Sequence, residues 1–387
     1  MPSKLDPIPY GKHHIDQDDI DSVVDVLLNR FLTQGDRVPA FENALCEYTK
    51  AKFSTAVNSA TSGLHVACLA LGVGPGDFVW TVPNSFVASA NCALYCGASV
   101  DFVDIDPLTR NMSVDLLAEK LTHAAQKGVL PKAIIPVHFS GLSCHMDQIS
   151  ALAKMYDVKI IEDAAHGLGG SFNDSKIGSC EYCDIAVLSF HPVKSMTTAE
   201  GGAVMTNCLK LDAKIKLFAK HGITKDPAQM KSEVHGPWYY QQVELGYNYR
   251  LSDLQAALGL SQLNKLNEFI VKRRDLAARY QQHLSNLPLT LPSIDRNCES
   301  AWHLYMLELQ EHDRKEIYDA MVMHGIGVNV HYIPIHLQPY FQNLGFSTGD
   351  FPNSENFYKN ALTIPLFPSM TADEQDRVIQ ALNEVLA

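Results

Sequence analysis

No stretch of the 387-residue chain reaches the roughly 18 consecutive apolar residues that a membrane helix requires. The opening MPSKLDPIPYGKHH also lacks the apolar core of a secretory leader, so a cytoplasmic protein without a membrane partner is expected. Positive charge is in short supply: 31 Lys and Arg face 43 Asp and Glu, a net charge of −12 that argues against a nucleic-acid surface. Charged residues make up only 19% and hydrophobic residues 46%, which excludes disorder as the main state and supplies a large core. The length allows two or three domains. Nine cysteines, an odd number in no dense cluster, fit thiols that stay reduced. Cys180-x-x-Cys183 lacks the second ligand pair a zinc knuckle needs, so no metal is expected.

What is present is an alternation. From about residue 54 to 210, short runs rich in Val and Ile alternate with helical stretches, the pattern of a mostly parallel sheet covered by helices. Strands are predicted at Ser54 to Asn58, Phe78 to Val82, Val100 to Val103, Ala133 to Val137, Val158 to Glu162 and Ile185 to Ser189; helices include Ser62 to Leu71 and Met146 to Tyr156. After Arg250, apolar residues keep helical spacing for some thirty positions behind Ser252, a plausible N-cap, long enough to leave one domain and enter the next. A strand at Leu304 to Leu309, a helix at Arg314 to His324 and the loop HYIPIHLQPYF suggest a smaller α+β unit. The expected division is 1–264 for a large domain with an N-terminal arm and 265–387 for a small C-terminal domain.

Open parallel sheets bind ligands beyond the carboxyl ends of their strands, and four such ends are unusual together. NSATSGLH places Asn58, Ser59, Thr61 and Ser62 where a helix begins; free backbone amides and hydroxyls there form a phosphate cradle, or an ordinary helix cap. The second end, Val158 to Asp163, finishes a buried strand on two carboxylates and runs into Ala-Ala-His166-Gly167. A carboxylate so placed needs a cationic partner, such as a protonated heterocyclic nitrogen, or else caps the following turn. In the third, Lys194 follows a buried strand, among Thr197 and Thr198 and before Gly201-Gly202; desolvation there makes a lysine a nucleophile toward carbonyls, whereas most lysines snorkel to solvent. The fourth puts Phe86 after a strand, as core or as cover for a flat cofactor. Together they match the needs of pyridoxal 5'-phosphate: a lysine for its aldehyde, a carboxylate that keeps its pyridine nitrogen protonated, and an anion site.

The ordered segments NSATSGLH, EDAAHGLG, SFHPVKSMTTAEGG, GYNYRLSDLQAALG and HYIPIH resemble the DegT-type nucleotide-sugar aminotransferases of the fold type I pyridoxal-phosphate enzymes, from Pro9 to about Pro368. The resemblance implies an α/β fold: a large domain with a mostly parallel sheet sandwiched by helices, plus a smaller α+β C-terminal domain. It implies Lys194 as the residue that carries the aldehyde, Asp163 on the pyridine nitrogen, Phe86 stacked on the ring, and His166 near the phenolic oxygen. Ala60, Thr61 and Ser189 take the phosphate, together with Asn248 from the second chain of a homodimer with shared active sites. For the sugar nucleotide it points to Tyr10, Arg30, Phe31, Leu32, Thr33, Ser59, Ser189, Asn248, His331, Tyr332, Ile333 and Pro334, with Arg30 suited to a diphosphate.

Within the family, IPYGKHHID, FLTQG at Phe31 to Gly35 and TTAEGGAV look most like members that aminate C4 of a UDP-linked 4-keto-6-deoxy-N-acetylhexosamine with L-glutamate as donor. Relatives acting on dTDP- or GDP-linked keto sugars are the runner-up reading. Sugar dehydratases of the family carry histidine in place of the Schiff-base lysine, so the presence of Lys194 argues against that reaction. Retention of both Lys194 and Asp163 likewise argues against a scaffold without turnover.

Overall fold

The computed structural model describes residues 6–386; the first five residues, on which part of the leader expectation rests, lie outside it. Its main sheet has seven strands: β1 (Phe53–Val57), β2 (Phe78–Thr81), β3 (Ser99–Phe102), β4 (Ala133–Ile134), β5 (Lys159–Asp163), β6 (Ile185–Ser189) and β7 (Gly202–Thr206), in the order β1-β7-β6-β5-β4-β2-β3. β2 to β6 run parallel, and β7 runs antiparallel to both β1 and β6. The predicted strands are all present. The run predicted at Ala133 to Val137 is cut to two residues of regular ladder because Pro136, which has no N–H to donate, follows closely. β7 was not predicted as a strand. Its GGAVMT reads as a glycine-marked loop, yet β7 is what turns the chain back at the edge where β6 ends.

Helices cover both faces. α1 (Gln17–Asn29) and α2 (Arg37–Thr49) precede the sheet, α3 (Ala60–Ala70) and α4 (Ala88–Tyr95) follow β1 and β2, α5 (Val114–Lys127) and α6 (Met146–Met155) flank β4, and α7 (Leu209–Ala219) follows β7. On one face Leu64, Val66 and Ala67 of α3, Ala90 and Ala93 of α4 and Ile215 of α7 pack on Val57, Ile161, Val187 and Val204. On the other, Leu117 and Leu121 of α5 and Ile149 of α6 cover Ile134 and Ile160. β6 and β7 are buried along their whole length, which is why their residues are apolar without alternation.

The long helix α8 (Asp253–Leu284) starts at Ser252, whose side chain accepts from Gln255 N while Gln255 reaches back to the Ser252 amide, a complete capping box. Leu263, Leu266 and Ile270 join the core beneath the main sheet. Ala277, Tyr280 and Leu284 join a second core with the antiparallel strands β8 (Leu289–Thr290), β9 (Tyr305–Leu309) and β10 (Ala361–Ile364). Ile8 belongs to this second core too, its N–H donating to Gly325 O and its carbonyl accepting from Gly327 N. Among the described residues no helix is long and apolar enough to cross a membrane.

Asp253, buried at the first turn of α8, accepts from the amides of Gly35 (2.9 Å), Arg37 (2.9 Å) and Val38 (3.4 Å). It thereby caps α2 from another helix, where Asp36 supplies no side-chain cap. Removing the carboxylate strands three donors. Asp253→Ala is expected to lower the unfolding free energy by about 3 kcal/mol, read from denaturant midpoints at unchanged slope; a loss within about 0.5 kcal/mol contradicts this role.

Candidate active site

The strand order brings β1, β2, β5 and β6 to one edge of the sheet with their carboxyl ends aligned. β7 starts at that edge, Gly202 pairing with Val57 on one side and Ser189 on the other. Over this edge lies a cavity of about 490 Å³ whose lining includes Tyr10, Ser59, Ala60, Thr61, Phe86, Asp163, His166, Ser189, Lys194, His331 and Tyr332 from the residues expected at the site, beside others such as Ser89, His191, Glu200 and His303.

Lys194 sits in the connection from β6 to β7. That connection is closed at its base by Phe190 N to Gly201 O (3.0 Å) and Thr198 N to Phe190 O (2.9 Å), and it turns at Lys194 N to His191 O (2.9 Å). Because β7 returns antiparallel, the lysine stays at the sheet edge. Burial pushes its amine down from the ordinary 10.5 to about 8, although Asp163 pulls the other way. Among the described residues it is the only Lys or Arg lining the cavity.

Asp163 ends β5, and both of its oxygens are engaged. Oδ2 accepts from Ser89 Oγ at 2.6 Å and Oδ1 from Ala165 N at 3.1 Å. Burial raises its pKa against the pull of those donors and of Lys194, so the carboxylate lacks a fully adequate positive partner in the chain itself. A protonated ring nitrogen would supply one.

At the start of α3, Ser59 is the N-cap, its Oγ accepting from Ser62 N at 3.1 Å and lying 3.0 Å from Ser62 Oγ. The amides of Ala60 and Thr61 belong to the first turn and have no intrahelical acceptor, the arrangement that takes a phosphate. A Cβ on Gly202 lies 2.7 Å from Ala60 N and 2.8 Å from Ser59 C, so only glycine lets β7 pass beneath this turn. Phe86 is 59% exposed at the cavity, an aromatic face left uncovered by the chain. Of the four histidines that line the cavity, His191 is exposed and three are buried. His166 has its Nε2 3.3 Å from Tyr332 Oη; His303 packs on it at 4.3 Å between ring centroids; His331 bonds Thr363 Oγ1 through Nδ1 at 2.8 Å. Burial holds His166 and His303 well below the usual 6.5 and His331 near 4, with the Lys194 charge acting in the same direction.

Some expected residues lie outside this cavity in the single chain: Arg30, Phe31, Leu32, Thr33, Asn248, Ile333 and Pro334. Arg30, expected to meet a diphosphate, is held instead by Asp25 (2.5 Å) and Asp36 (2.9 Å). Phe31, Leu32 and Thr33 are exposed, and Asn248 pairs with Lys220 in an isolated bridge. The sequence reading missed Ser89 and His303. Ser89 is one turn beyond Ser85-Phe86 and carries no motif of its own; His303 arrives from the second core, 137 residues after the histidine it packs against.

A buried carboxylate, a desolvated lysine, a helix start with open amides and an uncovered aromatic face define a pyridoxal-phosphate aminotransferase of fold type I. The chain belongs to the DegT/DnrJ/EryC1/StrS aminotransferase family, whose model matches residues 13–383, and its cofactor is pyridoxal phosphate. It is 38% identical over 383 residues to the UDP-4-amino-4,6-dideoxy-N-acetyl-beta-L-altrosamine transaminase of Campylobacter jejuni, covering 98% of this chain and 97% of that one. Helicobacter pylori PseC, an aminotransferase involved in the biosynthesis of pseudoaminic acid, superposes with a TM-score of 0.90 at 31% identity, covering 98% and 99% of the two chains. The putative sugar aminotransferase Spr1654 of Streptococcus pneumoniae, in its PMP form, gives 0.90 at 29% identity over 98% of each chain.

Two expectations follow. Ser89→Ala removes a hydrogen bond to a charged oxygen, for which about 1.5 kcal/mol is typical, so kcat/KM falls about 10-fold; an unchanged value removes Ser89 from the site. An amine adds to an aldehyde only in its unprotonated form, so with Lys194 as the acceptor the rate at which cofactor-stripped protein captures pyridoxal phosphate would rise with pH and level off above about 8, where a lysine of ordinary pKa keeps gaining past pH 10. Stopped-flow absorbance across pH 6 to 11 separates the two.

Proposed function

We propose that this sugar aminotransferase moves an amino group from L-glutamate to C4 of a UDP-linked 4-keto-6-deoxy-N-acetylhexosamine, giving UDP-4-amino-4,6-dideoxy-N-acetyl-beta-L-altrosamine for pseudaminic acid biosynthesis. The observation that carries this reading is the whole-chain similarity to the Campylobacter jejuni transaminase. The likeness to PseC supports it.

Ala60, Thr61 and Ser189, with Asn248 of the second copy, would hold the phosphate, Phe86 would cover the ring, Asp163 would meet the pyridine nitrogen, His166 would lie near the phenolic oxygen and Lys194 would take the aldehyde. Bound there, pyridoxal phosphate supplies an electron sink for the α-carbon of an amino acid or the corresponding carbon of an amino sugar. Lys194 Nζ, neutral in a large share of molecules near pH 8, takes up and gives back the proton that shifts within each half-reaction. Asp163, oriented by Ser89 and Ala165, keeps a positive charge fixed at the far end of the ring.

Each site is completed, on this reading, by a second copy of the chain. Leu28 (76% exposed), Phe31 (77%), Trp238 (74%) and Leu245 (73%) leave large apolar side chains open to water. A homodimer that covers them places Asn248 and the Arg30 to Thr33 segment beside a partner's cavity. The division into 1–264 and 265–387 is proposed on the same footing, with α8 as the shared beam.

The residues lining the cavity in one chain leave the nucleotide unspecified, which keeps dTDP- and GDP-linked keto sugars as the second reading. Amination assays across UDP-, dTDP- and GDP-linked 4-keto-6-deoxy sugars with glutamate decide between them. Preference for the UDP-linked N-acetyl ketone is expected, with Lys194→Ala inactive; preference for a dTDP-linked hexulose overturns the substrate assignment.

A further inference from the structure

His166 leaves β5 three residues after Asp163 and is 5% exposed. One ring nitrogen, Nε2, faces Tyr332 Oη at 3.3 Å; the other, Nδ1, is buried on the cavity wall without a partner among the described residues. Tyr332 is held on both sides. Asn329 and Thr363 exchange backbone hydrogen bonds of 3.0 and 2.7 Å before it, and Ile335 N donates to Pro83 O at 2.8 Å after it. Among the described residues, His166 Nε2 is the only hydrogen-bond partner of its hydroxyl.

The proton count then favours one tautomer, the one that leaves the phenol proton paired. Burial keeps the Tyr332 phenol above its ordinary pKa and therefore protonated, while burial and the nearby Lys194 charge keep His166 neutral. A neutral imidazole has one N–H, and the phenol has one proton with one acceptor in reach, so Tyr332 donates to Nε2 and the ring proton resides on Nδ1.

His303 packs against the same ring, centroids 4.3 Å apart and planes inclined by 54°. Its own placement is rigid: fully buried Arg273 of α8 donates through Nη1 to the carbonyls of Trp302 (3.2 Å), His303 (3.2 Å) and Leu366 (2.9 Å). Leu304 N to Ser140 O and Ala301 N to Gly141 O tie the flanking residues to the loop after β4.

We propose that Tyr332 and His303 are positioning residues for His166, Tyr332 fixing its Nδ1–H tautomer and His303 its ring plane, so that His166 presents a hydrogen-bond donor to an oxygen of the bound ligand. This rests on the cavity being the cofactor site and adds to it a means by which residues that follow α8, His303 and Tyr332, set the donor carried by the segment after β5.

The test is nitrogen NMR of ¹⁵N-histidine-labelled protein stripped of cofactor, with the His166 signals identified by their loss in His166→Gln. In the wild type, Nδ1 is expected protonated and Nε2 bare; the reverse assignment overturns the proposal without any variant having to fold. Tyr332→Phe keeps the ring and removes the donor, and is expected to yield a mixture of tautomers and to lower kcat about 10-fold with a smaller change in KM, the loss of one hydrogen bond to an oriented group. An unchanged tautomer in Tyr332→Phe also overturns it. His303→Leu is expected to broaden the His166 signals by ring motion, and sharp unchanged signals remove His303 from the proposal. These spectra need no substrate, so a failed sugar assay beside the expected tautomer rejects the substrate assignment and leaves this inference standing.

Discussion

A carboxylate at the end of a strand buried in all but its first residue is the constraint around which the rest of the molecule is arranged. Asp163 sits where the apolar interior of the sheet gives way to the cavity, and the chain meets its charge with only a serine hydroxyl, one amide and a lysine whose own amine is desolvated. Neither group is fully stabilised by the other. Burial outweighs their mutual attraction, so Asp163 rises and Lys194 falls in pKa though opposite charges ordinarily do the reverse, and a cationic ring bound between them would relieve the mismatch.

The fold serves this mismatch through topology. One antiparallel strand, β7, inserted between β1 and β6, makes the loop after β6 a return rather than a crossover, and keeps Lys194 at the edge where Asp163, Ser59 and Phe86 converge. The same strand needs Gly202 to slip under the first turn of α3. Anion site and lysine are therefore consequences of a single strand's direction. α8 ties this edge to the second core, with Leu263, Leu266 and Ile270 under the main sheet, Arg273 gripping the His303 segment, and Tyr280 beneath β9.

Much of this was legible in the chain. Buried parallel strands announce themselves as short Val and Ile runs, and polar residues that follow them without pattern mark the ligand edge, so Ser59, Thr61, Phe86, Asp163 and Lys194 could be singled out as cavity residues from the pattern, and Ser189 through the family resemblance. β7 could not: two glycines at its start signal close approach rather than extension, and its pairing is decided by β1, nearly 150 residues earlier. Ser89 and His303 carry no local signal because their partners, Asp163 and His166, are supplied by distant segments. Arg30 shows the opposite case. Its guanidinium suits a diphosphate by residue type, yet Asp25 and Asp36 on neighbouring turns occupy it in the single chain.

The central claim is that Lys194 alone carries the cofactor's aldehyde, opposite Asp163. Borohydride reduction of the pyridoxal-phosphate-loaded protein, followed by proteolysis and mass spectrometry, tests it most directly. A pyridoxyl phosphate adduct confined to the peptide bearing Lys194 is the predicted result; an adduct at another lysine, or none at any, contradicts the account.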